Sequence, residues 1–152
     1  MENTYETLNN LLVNMFNEIM TIEEKALITD EFSNISITDM HIIEAIGLGN
    51  GRNMSSVAKD LEITVGTLTI AINNLVKKGY VNRNRSTKDR RVVLISLSNL
   101  GVKVYNHHKM FHKNMIQDII NLLDDEEMNS FLKAIGGINE YFQKMKNKNA
   151  RI

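Results

Sequence analysis

The segment from Thr64 to Leu97 constrains the fold more than any other part of the chain. Its sequence, TVGTLTIAINNLVKKGYVNRNRSTKDRRVVLISL, predicts a helix with a polar outer face, a glycine stop at Gly79, a strand, a basic turn and a second strand. The helix prediction rests on apolar residues at helical spacing, Leu68, Ile72 and Leu75. A helix followed by a charged hairpin is typical of proteins that read duplex DNA, because the major groove admits a helix.

The composition indicates one globular domain. The chain has 152 residues, of which 43% are apolar and 24% are charged. No apolar run approaches the roughly 18 residues that a membrane span needs, and the first residues lack the basic and apolar regions of a signal peptide. Cysteine is absent, which excludes disulfides, thiol switches and thiolate metal sites. We therefore expect a cytoplasmic protein without membrane contact.

The charge of the chain is concentrated in one place. The net charge is zero, yet the range Lys77–Arg91 holds seven basic residues and one acidic residue, Asp89. Concentration of positive charge on one element is the electrostatic footprint of a nucleic-acid-binding protein, which the total charge conceals. A solvated basic hairpin without a partner is the alternative interpretation.

Apolar spacing and capping signals predict a mainly α fold of about six helices with a small β-hairpin. A helix–turn–helix pair precedes the hairpin, which then forms a wing beside it. The predicted helices are the first two dozen residues, Ser36–Gly47, Asn53–Glu62, Thr64–Lys78, Ser98 or Asn99 to about Leu123, and one that begins in the acidic cluster Asp124–Glu127; the predicted strands are Tyr80–Arg85 and Arg91–Leu97.

The long helices at the two ends of the chain predict a homodimer. Each carries an apolar stripe that a small domain cannot easily bury alone, whereas a second copy would bury both. We therefore divide the single domain into an N-terminal dimerisation helix (1–35), a DNA-binding region (36–97) and C-terminal dimerisation helices (98–147). A twofold dimer also places two reading helices about one turn of DNA apart.

The predicted DNA contacts lie on the fourth helix and on the hairpin. Hydroxyl and amide groups on the outer face of the helix can bond to base edges, and Ile70 can touch a thymine methyl group. We expect Asp89 to orient a neighbouring arginine by an ion pair, and either Arg90 or Arg91 to enter the minor groove. An ordinary polar surface is the alternative. The predicted set is Ser55, Thr64, Thr67, Thr69, Ile70, Asn73, Lys77, Arg83, Arg85, Lys88, Asp89, Arg90 and Arg91.

Four pieces of sequence point to one family: the helix–turn–helix pair, KKGYVNRNR, STKDRRVV and LISLSNLG. With them the chain resembles the MarR family of winged-helix regulators along nearly its whole length. It departs from the pattern at Ser86, where many members carry an acidic residue three positions before the wing aspartate. The resemblance implies a homodimeric transcriptional repressor that binds a palindromic operator in double-stranded DNA and responds to a small ligand.

An enzyme is the rival class of protein. The sequence has no Ser–His–Asp order, phosphate loop or paired-carboxylate motif. The histidines also lack a plausible nucleophile nearby. We therefore expect no catalytic site and no cofactor.

One hypothesis for the effector is an acyl chain. The pieces ISITDMHIIEAIG and HHKMFHKNM resemble the repressors of bacterial fatty-acid synthesis that sense acyl chains on acyl carrier protein. Nine methionines are a high count for this length, and flexible thioethers suit a tunnel for a pliable alkyl chain. Simple core packing is the alternative for each of these residues. The predicted lining is Met15, Ile19, Met40, Ile43, Met110 and Met115.

The other hypothesis for the effector is zinc. His108 and His112 are four residues apart and share one helical face, a spacing that can hold zinc. Glu24 and His41 occupy places that resemble those used by zinc-sensing members of the same family. The histidines could instead hydrogen-bond the first helix or the base of the wing and hold the shape of the dimer.

Overall fold

The computed structural model describes residues 2–149 and gives them a mainly helical fold with one small sheet. The chain divides after Phe111 into two compact units. The predicted fold class is confirmed. The elements are α1 (Glu2–Leu27), α2 (Ile37–Ile46), β1 (Arg52–Asn53), α3 (Met54–Asp60), α4 (Val65–Lys77), β2 (Val81–Arg85), β3 (Val93–Leu97), α5 (Asn99–Leu122) and α6 (Asp125–Asn149).

Local capping bonds fix where the helices begin. Ser36 and Asp39 form the predicted capping box of α2, in which each side chain accepts a hydrogen bond from the other residue's backbone N–H. Asn53 caps α3 by accepting from the Ser56 N–H, and Thr64 caps α4. Proline is absent from the chain, so side-chain caps and glycines set the helix ends.

The end of α4 is a Schellman motif built on Gly79. This glycine has a φ of 84°, a left-handed conformation that residues with a Cβ rarely adopt. Its N–H donates to Val76 O at 3.0 Å, and the N–H of Tyr80 donates to Leu75 O at 2.9 Å. The turn uses Tyr80, so β2 begins one residue later than the sequence predicted.

The sheet has three antiparallel strands in the order β1-β3-β2. The hairpin register pairs Val81 with Leu97 and Arg85 with Val93. Strand β1 joins the other side of β3 through the pair Arg52–Ile95. The sequence did not predict β1, because two residues are too few to show alternation.

The core of the first unit is formed by the inner face of α4 and its neighbours. Leu68, Ile72 and Leu75 are completely buried, as their spacing predicted. Other elements contribute Met40, Ile43, Val57, Tyr80, Ile95 and Val104 to the same cluster. Because α4 is anchored along its inner side, its opposite side is held toward solvent.

The two terminal helices leave apolar side chains exposed. On α1 these include Leu8, Leu11 and Phe16, and on α6 they include Leu132 and Phe142. Among residues 2–149, no helix is both long enough and apolar enough to cross a bilayer. The dimerisation predicted from the sequence would bury these exposed apolar faces.

Candidate nucleic-acid interface

Helices α3 and α4 form a helix–turn–helix with a tight connection. The N–H of Ile63 donates to Ala58 O at 3.0 Å, and that of Leu61 donates to Val57 O at 3.1 Å. Between them, Glu62 adopts a left-handed φ of 57° and reverses the chain. The turn ends at Thr64, which caps α4, so these bonds fix the orientation of α4 relative to α3.

The outward face of α4 carries most of the predicted reading residues. Ile70 has an exposed fraction of 68%, the largest among the apolar residues of α4 that are exposed. Asn73 and Lys77 lie on the same face and are also exposed, whereas Thr69 is half-buried. The predicted residues Ser55, Thr64 and Thr67 are exposed near the starts of α3 and α4.

The threonine hydroxyls of α4 have partners within the helix. Thr69 Oγ1 donates to Val65 O at 2.7 Å, and the hydroxyls of Thr64 and Thr67 lie 2.9 Å apart. A hydroxyl that donates its only proton to the backbone cannot also donate it to a base. The role predicted for Thr69 is therefore restricted to accepting a hydrogen bond or to contact through its methyl group.

The wing turn is held by backbone bonds. The N–H of Ser86 donates to Val92 O at 2.8 Å, and the N–H of Val92 donates to Asp89 O at 2.9 Å. The Ser86 hydroxyl accepts from the N–H groups of Lys88 and Asp89, at 3.2 and 3.4 Å. Ser86, the departure from the family pattern, therefore has a structural role in the turn.

The ion pair predicted for Asp89 stays a prediction, because the contact that this residue makes is local. Its carboxylate accepts from the backbone N–H of Arg91 at 2.9 Å, and the ion pairs found among residues 2–149 do not include it. A carboxylate two residues before an N–H readily forms such a local bond. Asp89 thus shapes the turn and leaves the arginine side chains available.

The five wing cations are exposed, and the two candidate arginines face different surroundings. Arg90 lines a hollow with Arg85, Ser86 and Thr87. Arg91 lines a groove together with Asn53 and Ser55, at the start of α3. The exposed set is Arg83, Arg85, Lys88, Arg90 and Arg91.

Several residues that hold this surface in place were not identified from the sequence. Lys78 Nζ, at the end of α4, lies 2.7 Å from the Asp39 carboxylate of the α2 capping box. Arg52 donates to Ala45 O at 2.5 Å and pairs with Asp60 at 2.7 Å. The partners are far apart in sequence or belong to different elements, so no local pattern signals them.

The buried side chain of Tyr80 anchors the end of α4. Its hydroxyl donates to Asn34 Oδ1 at 2.7 Å. Burial, and to a lesser extent the charge of Asp39, raises the pKa of Tyr80 above its ordinary value. The side chain therefore stays a neutral hydrogen-bond donor.

Helix α5 starts directly against the turn that ends α4. The Ser98 N–H donates to Tyr80 O at 3.0 Å, and the Ser98 hydroxyl donates to Gly79 O at 2.6 Å. A Cβ placed on Gly101 would lie 2.1 Å from Tyr80 O. Only glycine fits this approach, which joins the start of α5 to the turn that ends α4.

The histidines of α5 contact α1 and α2 within the first unit. His108 has an exposed fraction of 2%; its Nε2 lies 2.5 Å from Glu23 Oε1, and its Nδ1 lies 2.9 Å from Glu44 Oε1. His107 Nε2 lies 2.7 Å from Ala26 O. The sequence-based alternative that histidines bond the first helix is thus seen for both residues.

The residues predicted as zinc ligands are only partly brought together. His108 is bonded to Glu23, the neighbour of the predicted Glu24, while Glu24 and His41 are exposed. His112 lies one helical turn beyond His108 along α5, in the second unit. Zinc binding stays a prediction, with Glu23 as the carboxylate that contacts His108.

The residues predicted to line an acyl tunnel also differ in their surroundings. Met40 and Ile43 are completely buried in the core, whereas Met15, Ile19 and Met110 are exposed. Met115 is half-buried and belongs to the second unit. A tunnel lined by all six residues stays a prediction.

Comparison with known proteins identifies the family. Residues 25–108, more than half of the chain, match the family described as transcriptional regulator SarA/Rot. The crystal structure of Streptococcus pneumoniae FabT in complex with DNA is 38% identical, with a TM-score of 0.84, over 93% of this chain and 99% of that one.

Two further relatives are more distant. The HTH-type transcriptional regulator YhjH of Bacillus subtilis is 23% identical over 80% of this chain and 78% of its own length. The S. aureus MepR F27L mutant bound to an oligodeoxyribonucleotide shares the fold, with 20% identity and a TM-score of 0.60 over 88% of this chain and 97% of that one. The chain therefore belongs to the winged-helix MarR/SarA family and is a DNA-binding transcription regulator.

Proposed function

We propose that the protein is a homodimeric repressor that binds a palindromic operator and controls genes of fatty-acid synthesis. The likeness to S. pneumoniae FabT, at 38% identity over nearly the whole of both chains, is the observation that carries this proposal. The sequence resemblance to fatty-acid-synthesis repressors supports the same target genes. The outward face of α4 and the exposed wing cations supply the surface that such an operator would contact.

In this proposal α4 enters the major groove, and one wing arginine enters the adjacent minor groove. A narrow minor groove concentrates negative potential, which attracts a guanidinium group. The bonds of Ser86 and Asp89 hold the turn before DNA arrives, so less loop entropy is lost on binding. Arg83, Arg85 and Lys88 contact phosphates, which strengthen binding without reading sequence.

The exposed apolar residues of α1 support dimerisation. Tyr5, Leu11 and Phe16 have exposed fractions between 56% and 74%, which is costly for large apolar side chains in water. Burial against the same helix of a second copy removes this cost and creates a twofold axis. The same axis generates the palindromic symmetry of the operator.

Replacing Arg90 and Arg91 with alanine tests the wing. We expect operator affinity to fall at least tenfold and the salt dependence of binding to become shallower, because each cation lost from the DNA, in the minor groove or at a phosphate, reduces counterion release and lowers the log–log salt slope by about 0.9. The control is Lys109→Ala with Lys113→Ala, which removes two exposed cations from α5. Equal affinities for the wing variant and the wild type would contradict the wing assignment.

Titration with candidate effectors tests the regulatory part of the proposal. A duplex from a fatty-acid-gene promoter is titrated with the protein alone and then with long-chain acyl carrier protein. Carrier protein without an acyl chain is the control, because it separates recognition of the chain from recognition of its carrier. A change of affinity with the acylated form alone supports the acyl hypothesis.

Zinc is retained as a second candidate because of the His108–Glu23 contact. An imidazole nitrogen and a carboxylate oxygen are both groups that bind zinc, and His108 and Glu23 place one of each side by side. The same titration with zinc and then with a chelator separates the two effectors. A response to zinc that is lost in Glu23→Gln would favour the metal over the acyl chain.

A further inference from the structure

The outward face of α4 presents a large apolar side chain to solvent. Ile70 has an exposed fraction of 68%, and the three core residues of the same helix have none. No core requirement explains an isoleucine at this position, since it points away from every packed neighbour of the helix. In the proposed complex this side chain would face the base edges of the major groove.

The polar groups beside Ile70 narrow what this face can recognise. The hydroxyls of Thr67 and Thr69 are engaged within the helix. Asn73, one turn beyond Ile70, is exposed, and its amide forms no hydrogen bond with any residue of the range 2–149. Apart from Lys77 in the last turn and the acceptor and methyl group of Thr69, the outward face therefore offers one branched apolar group, Ile70, and the amide of Asn73.

Most of α4 lacks the basic side chains that usually contact guanine. The commonest specific contact to guanine is made by arginine or lysine. From Thr64 to Val76 the sequence contains neither, and Lys77 follows only in the last turn. The first turns of a recognition helix are the part that meets base edges, so these turns carry no cation that could read guanine.

The two groups that remain match one base pair type. Thymine is the base whose 5-methyl group offers an apolar contact in the major groove, and adenine accepts and donates to an asparagine amide. Ile70 and Asn73 are three residues apart, or about 4.5 Å along a helix axis, which is close to the spacing of about 3.4 Å between neighbouring base pairs. Both can therefore act on adjacent pairs.

We infer that α4 reads consecutive A·T pairs in each operator half-site, with Ile70 packed on a thymine 5-methyl group and Asn73 bonded to an adenine. This inference rests on the proposed operator function and specifies its substrate. Gly66, which precedes Ile70 by one turn on the same face and is exposed, lets the helix backbone lie close to the bases. Specificity thus depends on shape and on methyl groups more than on charge.

Selection of duplexes from a random library, followed by thymine replacement, tests this inference. Selections with wild type, Ile70→Ala and Asn73→Ala identify the positions whose preference each side chain sets; we expect T·A or A·T pairs there. Replacing that thymine by deoxyuridine removes only the methyl group. The expected loss of wild-type affinity is about fourfold per half-site, or roughly fifteenfold when both are changed.

The matched controls isolate the side chain and the methyl group. Ile70→Ala should show no further loss with deoxyuridine, because the contact is already absent. Leu48→Ala removes an exposed apolar side chain of similar size from the turn after α2 and should keep the full loss. Thermal melting of each variant checks that the fold is intact.

The outcomes separate this inference from the proposed function. Selected duplexes with G·C pairs at the Ile70 position, or deoxyuridine duplexes bound as tightly as thymine duplexes, would overturn the methyl reading alone. Failure to enrich any duplex would overturn the operator proposal and the inference with it.

Discussion

Replacing Gly101 with alanine should test how tightly the DNA-reading helix is coupled to the rest of the chain. The added Cβ would lie 2.1 Å from the carbonyl oxygen of Tyr80 and 3.3 Å from the Leu97 Cβ. A carbon and a carbonyl oxygen approach no closer than about 3.3 Å even in weak hydrogen bonds. The start of α5 must therefore move by about 1 Å away from the turn that ends α4.

The expected cost follows from what this movement disturbs. Overpacking of a well-packed site costs about 1–3 kcal/mol. The displacement also weakens the bonds from Ser98 to Tyr80 and Gly79, now 3.0 and 2.6 Å long, at about 1 kcal/mol each. Alanine regains about 1 kcal/mol over glycine in helix propensity. The net loss is about 3 kcal/mol of unfolding free energy.

Urea unfolding at a fixed protein concentration measures the effect, since the stability of the proposed dimer would depend on concentration. Gly136→Ala and Gly137→Ala are matched controls, because both glycines lie in α6 and an added Cβ there meets no atom within 4 Å. These variants should gain about 0.5–1 kcal/mol each. A Gly101→Ala protein as stable as the Gly136→Ala protein would refute the contact argument.

Three further predictions address the supports of the interface and the dimer. Tyr80 has a raised pKa, so its contribution to stability is complete below pH 10.0 and is lost as the pH rises through the folded-state pKa. In urea unfolding, Tyr80→Phe should abolish this alkaline loss, whereas Tyr141→Phe, at an exposed tyrosine, should not. Lys78→Met should lower the unfolding free energy by about 1 kcal/mol. In a protein that already carries Asp39→Asn, the same substitution should cause no further loss. Phe16→Asp should convert dimers to monomers in analytical ultracentrifugation and weaken operator binding, and a dimer that persists would exclude α1 from the interface.

Features that depend on a few neighbouring residues could be predicted from the sequence. The caps of α2 and α4 and the glycine that ends α4 are local, because each bond joins residues at most five positions apart. The inner face of α4 was equally predictable, since helical periodicity decides which residues face the core. The position of the wing was also predictable, because its strands follow the glycine that ends α4.

Features that depend on distant partners could not be predicted. The Lys78–Asp39 bond spans 39 positions, and the two bonds of His108 span 64 and 85. Nothing near these residues in sequence signals their partners. The sequence also did not predict the local bond that the Asp89 carboxylate accepts from the Arg91 N–H, a short-range contact that aspartate readily forms.

The bonding of the wing turn separates the shape of the loop from its charge. Main-chain atoms and two short side chains, Ser86 and Asp89, fix the bend. These bonds do not use the guanidinium groups of the neighbouring arginines. In the proposed complex, substitutions of Arg90 or Arg91 should therefore change DNA affinity without unfolding the wing turn. A substitution of Asp89 would have the opposite effect, because it would keep the cations but remove the backbone bond that holds the turn in shape.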